Sequence, residues 1–150
     1  MRLSLPKLAA IGLLLLLNTP SYAGLREDGA ACDAKDSPPE LAIPACTRLI
    51  AVNLTSVLAC THAALPAMQA ARFGRIINVT SEAARLGSKG GAVYSAAKGG
   101  VISFTRSIAR ENARFRITAN AIAPGPIRTP MLEQAVAKGG DKILQAMTGA

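Results

Sequence analysis

The apolar and polar positions change character several times along the chain. Residues 8–17 are almost unbroken in their apolarity, a run too short to cross a membrane as a helix, which takes about 20 residues. Residues 24–44 are polar and turn-rich, with R-E-D-G and D-A-K-D-S-P-P-E, and hold too little periodic apolar content to pack alone; they predict a linker. From 45 to 71, Leu49, Val52, Val57, Leu58, Ala64, Leu65 and Met68 recur at helical spacing, and Pro66 should bend or end that helix. Residues 76–80, Ile-Ile-Asn-Val-Thr, predict a short buried strand. A loop over 81–90 leads into a helix over 91–114 with the apolar stripe Val101, Ile102, Phe104 and Ile108, a face for the core or for a subunit interface. A second strand over 117–123 is stopped by Pro124-Gly125-Pro126, and Gly139-Gly140 interrupts a last helical segment.

Two strands joined by so long a helix make a βαβ unit, which requires parallel strands. Ligands of such sheets bind beyond the carboxyl ends of the strands. Ser81 and the Pro124-Gly125 turn both fall at that edge, and Tyr94 opens the crossover helix close by. Tyr94 and Lys98 are four residues apart, so on a helix a phenol stands one turn from an ammonium. The positive charge favours the phenolate form, which is what a general acid/base needs.

Composition changes this picture only at the margins. The chain has 150 residues, half of them apolar, enough for one domain with a core. Its net charge is +8, but the arginines are scattered among apolar residues and aromatic residues are only 3%, so nucleic acid is not expected as a partner. Phosphate-bearing cofactors or acyl-CoA suit the charge better. Cys32, Cys46 and Cys60 complete no metal site; Cys60 reads as a small buried residue, and Cys32 and Cys46 would form a disulfide only in an exported chain. His62 lacks an acidic or cysteine neighbour and reads as an ordinary helix residue. Asn53 sits in a helix interior that disfavours it, and Gly99-Gly100 weakens the second helix by about 1 kcal/mol per glycine, as is tolerated where another backbone approaches.

Residues 1–23 have the layout of a secretory signal: Arg2 and Lys7, then the apolar run, then Ser21-Tyr22-Ala23 as a cleavage site. No stable membrane span is expected from it.

From about Arg48 onward the chain resembles the short-chain dehydrogenase/reductase (SDR) family. The resemblance is carried by Asn53 in A-V-N-L, the strand G-R-I-I-N-V-T-S ending in Ser81, Tyr94 and Lys98 in Y-S-A-A-K, the following K-G-G, and P-G-P-I-R-T-P. It implies an α/β fold, a partial Rossmann-type doubly wound parallel sheet corresponding to the catalytic half of an SDR domain over 45–150. It implies hydride transfer between NAD or NADP and a small-molecule carbonyl or alcohol. Tyr94 would be the acid/base, Ser81 would hydrogen-bond the substrate oxygen, and Lys98 would favour the phenolate and hold the nicotinamide ribose. Asn53, at a local break in its helix, would carry a proton-relay water. Pro124, Gly125, Ile127 and Thr129 would meet the nicotinamide carboxamide. The segment S-E-A-A-R-L-G-S-K-G-G-A-V-Y is similar to 3-oxoacyl-carrier-protein reductases and hydroxyacyl-CoA dehydrogenases, which implies acyl-CoA or acyl-carrier-protein substrates and a homo-oligomer built through the long helices.

The departures are as specific as the matches. The glycine-rich turn for the pyrophosphate is absent, as is the residue that would choose NAD or NADP, so the expectation is a truncated or composite chain joined near 46–49, weakly active or inactive alone. A cytoplasmic location for the SDR part conflicts with the export signal, and an exported structural or interaction protein with an SDR-derived segment is the alternative.

Overall fold

A computed structural model of the protein describes residues 22–139. The apolar run at 8–17 and Gly140 lie outside the described residues. The chain divides into two units, Met1–Leu49 and Ile50–Ala150.

In the first unit the linker expected over 24–44 is largely helical. Helix α1 (Tyr22–Asp33) is followed by α2 (Pro39–Ile50), with Pro39 at the first helical position, where its missing N–H costs nothing. Buried apolar residues of α2 are only Ala45 and Leu49, so apolar content alone does not explain the pairing. A disulfide joins Cys32 to Cys46, and Arg48 grips Asp28 with both ends of its guanidinium, Nε at 3.0 Å and Nη2 at 2.6 Å from Oδ1. Covalent closure and a bidentate ion pair replace the periodic apolar stripe that the sequence lacks. The hydrogen bonds from Arg48 hold the Asp28 carboxyl below its usual range, against a smaller opposing effect of burial.

In the second unit residues 51–55 form one π-helical segment (Ala51–Thr55), and α3 (Ser56–Ala71) continues through Pro66. The expected stop at Pro66 does not occur, because the bond that proline cannot make would end on the carbonyl of His62, an exposed residue that water can serve. By length and composition the stretch Pro39–Ala71 is apolar enough to cross a membrane; Leu65 and Met68 of α3 instead pack into the core of this unit. Strand β1 (Gly74–Val79), a short helix α4 (Ala83–Leu86), the crossover helix α5 (Ala92–Asn112), a 3-10 turn (Ala113–Phe115), β2 (Ile117–Ile122) and α6 (Pro130–Gly139) follow. The two strands pair in parallel, Gly74 opposite Ile117 through Val79 opposite Ile122.

Ile76, Ile108 and Ile117 form the core, with Leu65, Met68, Phe104 and Phe115 packed against them. The crossover helix buries Ala97, Val101, Thr105, Ile108 and Asn112, a stripe at spacings of three and four. Its polar members are paired: Asn78 of β1 donates to the Thr105 hydroxyl at 2.9 Å, and Gln69 of α3 donates to Asn112 at 2.7 Å. The opposite sheet face leaves Ile77, Val79 and Ile122 more than half or half exposed. Cys60, expected in the core, is exposed on α3. A Cβ at Gly100 would meet the Leu54 side chain at 3.2 Å rather than a backbone, whereas one at Gly99 would meet a backbone atom, the Ala84 carbonyl oxygen, at 3.9 Å.

Two predictions follow from these contacts. Below the ordinary aspartate range, about 3.9, Asp28 protonates and its stabilisation of α1 against α2 disappears as pH falls through its lowered folded value. Reduction, or Cys32→Ser, should therefore leave residues 22–50 more acid-sensitive than in the oxidised chain, seen as loss of helical circular dichroism. Equal acid profiles would disprove this division of labour. At Gly74 a Cβ would stand 2.7 Å from Met68 Sδ and 3.0 Å from Met68 Cβ and Cγ, so Gly74→Ala should destabilise by about 1–3 kcal/mol in urea unfolding, with partial rescue by Met68→Ala.

Candidate active site

Thr80 and Lys98 tie the crossover helix to the carboxyl end of β1. The Thr80 hydroxyl, on a residue only 4% exposed, donates to the Lys98 carbonyl at 2.7 Å. In return the Lys98 ammonium donates to the Val79 carbonyl at 3.2 Å. Partial burial lowers the Lys98 pKa from the ordinary lysine value, because its charge is incompletely solvated. The same ammonium stands 5.9 Å from the centre of the Tyr94 ring. Tyr94 is the third residue of α5, which begins after Gly90, in the left-handed region at φ 70, and Gly91.

Ser81 lies between two further anchors. Thr80 N–H donates to the Ile122 carbonyl at 2.8 Å and Glu82 N–H to the Pro124 carbonyl at 2.9 Å, so the segments leaving β1 and β2 run on side by side. The Ser81 Oγ accepts from Ala83 N–H at 3.2 Å, which leaves its own O–H proton to donate elsewhere. Gly125 is held close: a Cβ there would come within 2.9 Å of a Glu82 carboxylate oxygen.

Asn53 lies within the π-helical segment, and its neighbour Leu54 packs on Gly100, two residues beyond Lys98. The segment is thus seated on the helix that carries the lysine. Ile127 is 61% exposed, and Thr129 accepts from Leu132 N–H at 3.3 Å and from Glu133 N–H through its carbonyl at 2.9 Å, so Thr129 caps the start of α6. The structure therefore brings Lys98, Tyr94 and the strand end bearing Ser81 together, seats the segment that holds Asn53 against the same helix through Leu54, and places Pro124 and Gly125 beside Glu82. Thr80 and Glu82 were not singled out from the sequence. The signal for Thr80 was a hydroxyl at the end of an apolar strand, where only the fold supplies its acceptor. Among the described residues no group of three or more His, Cys, Asp or Glu side chains could hold a metal ion.

A parallel βαβ unit with this pair on its crossover helix and a serine at the carboxyl edge of β1 is part of a Rossmann-like α/β fold. The chain matches the family model for short chain dehydrogenase over residues 27–139, and it belongs to that family. It is 51% identical over 85 residues to the 3-oxoacyl-[acyl-carrier-protein] reductase of Synechocystis sp., which is 57% of this chain and 34% of that protein. It is 44% identical over 88 residues to the D-beta-hydroxybutyrate dehydrogenase of Cupriavidus necator, 59% of this chain and 34% of that protein. With Nodulation protein G of Rhizobium meliloti it shares 37% identity over 125 residues, 83% of this chain and 48% of that protein. The chain thus spans about a third of the length of the first two relatives and about half of the last.

The family implies NAD(P). The donors present suit its nicotinamide end, where the Lys98 ammonium keeps N–H groups beyond the one given to Val79. They do not suit its pyrophosphate: among the described residues β1 runs into Ser81-Glu82 and β2 into Pro124-Gly125-Pro126, neither a glycine-rich turn at the start of a long helix.

Thr80→Val should remove the Lys98 tether at a cost of about 1–2 kcal/mol in urea unfolding. As Lys98 becomes better solvated, its titration, followed by NMR at its Cε, should move up toward the ordinary lysine range. A stability loss with no movement of Lys98 would show that Thr80 serves only the fold.

Proposed function

We propose that this chain carries the acid/base centre of an oxidoreductase that interconverts a carbonyl and an alcohol on a 3-oxoacyl or hydroxyacyl thioester. The observation that supports it best is the double tether of Lys98 to the carboxyl end of β1, beside Tyr94 and next to Ser81. NAD or NADP, when bound, supplies or accepts the hydride. Tyr94 gives a proton to the substrate oxygen in reduction and takes it back in oxidation. The Ser81 O–H, left free by the bond its oxygen accepts from Ala83, donates to that same oxygen and stabilises charge developing there. Lys98 would hold the nicotinamide ribose, Asn53 would carry the relay water from the π-helical segment, and Pro124, Gly125, Ile127 and Thr129 would meet the carboxamide end.

The substrate class draws on the relatives, whose names share an oxygen function at the third carbon of an acyl chain. The outward faces of α3 and α5 serve as the homo-oligomer interface, and the cytoplasm, where the nicotinamide pool is, serves as the working compartment. An exported protein with an SDR-derived structural segment is the second reading, favoured by the Cys32–Cys46 disulfide; processed chain found outside the cytoplasm would select it.

The test joins this chain to the amino-terminal region of the Synechocystis relative and measures reduction of a 3-oxoacyl thioester. Tyr94→Phe should lower kcat by about a hundredfold or more with the circular dichroism unchanged. Retention of more than about a tenth of the rate, worth only ~1.4 kcal/mol of barrier, would overturn the assignment.

A further inference from the structure

Residues 50–150 contain twelve Lys and Arg against four Asp and Glu, so they carry the whole net charge of +8. The arginines look scattered in the sequence, yet the fold gathers four of them. The turn from α3 into β1 reads Arg72-Phe73-Gly74-Arg75, and the turn from α5 into β2 reads Arg114-Phe115-Arg116. Parallel pairing sets Gly74 opposite Ile117 and so puts the two turns side by side. Arg72 Nη2 donates to the Arg114 carbonyl at 3.1 Å, and Arg75 Nη1 donates to the carbonyls of Gly74 at 2.7 Å and Arg116 at 3.1 Å. Arg72 and Arg116 each turn the chain in the left-handed region, at φ 50 and 60. The Arg75 guanidinium lies 4.6 Å above the Phe73 ring and that of Arg114 lies 4.8 Å above Phe115.

Part of this is ordinary structural chemistry, since both long helices end here and guanidinium groups suit the carbonyls and the dipole at helix carboxyl ends. Those bonds use few of the five N–H donors on each arginine. All four arginines are exposed, and none forms an ion pair among the described residues; Glu111, the acidic residue nearest in sequence, pairs with none of them. Phe73 is 58% exposed in their midst, whereas Phe115 is packed against the core. A cluster serving only helix ends has no need of an exposed ring. An acidic protein partner would satisfy the charges but would have to bring an apolar pocket for Phe73. A phospholipid surface offers both at once, phosphates for the guanidinium groups and the headgroup boundary for the ring.

We propose that these two turns form a peripheral docking tip for anionic phospholipid, in which Phe73 enters the headgroup boundary and Arg72, Arg75, Arg114 and Arg116 hold lipid phosphates. The tip lies at the amino ends of the strands, opposite the edge that carries Ser81, so docking leaves the acid/base centre facing away from the membrane.

The experiment is co-sedimentation of the full chain with vesicles of phosphatidylcholine alone and of phosphatidylcholine mixed with phosphatidylglycerol. Partition into the anionic vesicles should exceed that into the neutral ones by about tenfold or more and should fall with added salt. Arg114→Gln with Arg116→Gln spares the carbonyl bonds of Arg72 and Arg75, and should remove about tenfold or more of the anionic partition. Phe73→Ser should lower it further, each variant keeping the parent circular dichroism. Arg106→Gln with Arg110→Gln removes equal charge from another part of α5 and should leave partition nearly unchanged. Because every variant retains residues 1–23, adsorption by that apolar run would persist in all of them, and such persistence would overturn the proposal. So would an equal loss in the Arg106 and Arg110 variant, which would mean net charge alone. Binding to polyglutamate but not to anionic vesicles would overturn it in favour of an acidic protein partner.

Discussion

The second unit depends on the seating of one helix, α5, across one parallel strand pair. The stripe Ala97, Val101, Thr105, Ile108 and Asn112 is buried along that contact, with Val101 fully buried and Ile117 only 2% exposed. Each large apolar side chain so placed contributes about 1.5–3 kcal/mol. Apolar burial is non-directional, however, and would tolerate small slides of the helix along the sheet. The polar contacts set the register: Asn78 on Thr105, and at the strand end Thr80 on the Lys98 carbonyl with Lys98 on Val79. Those bonds work only at one axial position of the helix, and that position puts Tyr94 at the edge where Ser81 emerges.

The price of a charged side chain at this position is partial desolvation of Lys98, which depresses its pKa while the Val79 carbonyl gives it a neutral acceptor. A carboxylate partner would hold the lysine more firmly but would cancel the positive charge that Tyr94 faces. A backbone carbonyl positions the ammonium without neutralising it. In the proposed acid/base centre, structure and chemistry would make the same demand on one residue.

The first unit is held by different means. Among the described residues its helices bury few apolar side chains and are joined by the Cys32–Cys46 bond and the Arg48–Asp28 pair, so its integrity should follow redox state and pH. The bare sheet face with Ile77, Val79 and Ile122 is a further contrast, since parallel sheets are ordinarily covered on both faces.

Local pattern was enough for the elements of the second unit. An apolar run bounded by turns specifies a strand, and a stripe at three-and-four spacing specifies a helix, because both depend on which side of a short segment must leave water. The strands at 76–80 and 117–123 and the helix at 91–114 were legible for that reason, and so was the nearness of Tyr94 and Lys98, which is a property of helix geometry alone. Three things were not legible. Residues 24–44 read as a linker, because a disulfide and an ion pair between residues 14 and 20 positions apart leave no periodic trace. Thr80 looked like the last residue of a strand, because the Lys98 carbonyl that gives its hydroxyl a role lies 18 residues away. Four arginines looked dispersed, because only parallel pairing of β1 with β2 places residues 72–75 beside 114–116. Periodicity reports what a segment hides from water; which distant segments meet is decided by tertiary structure, through bonds and charges whose partners are far apart in the chain.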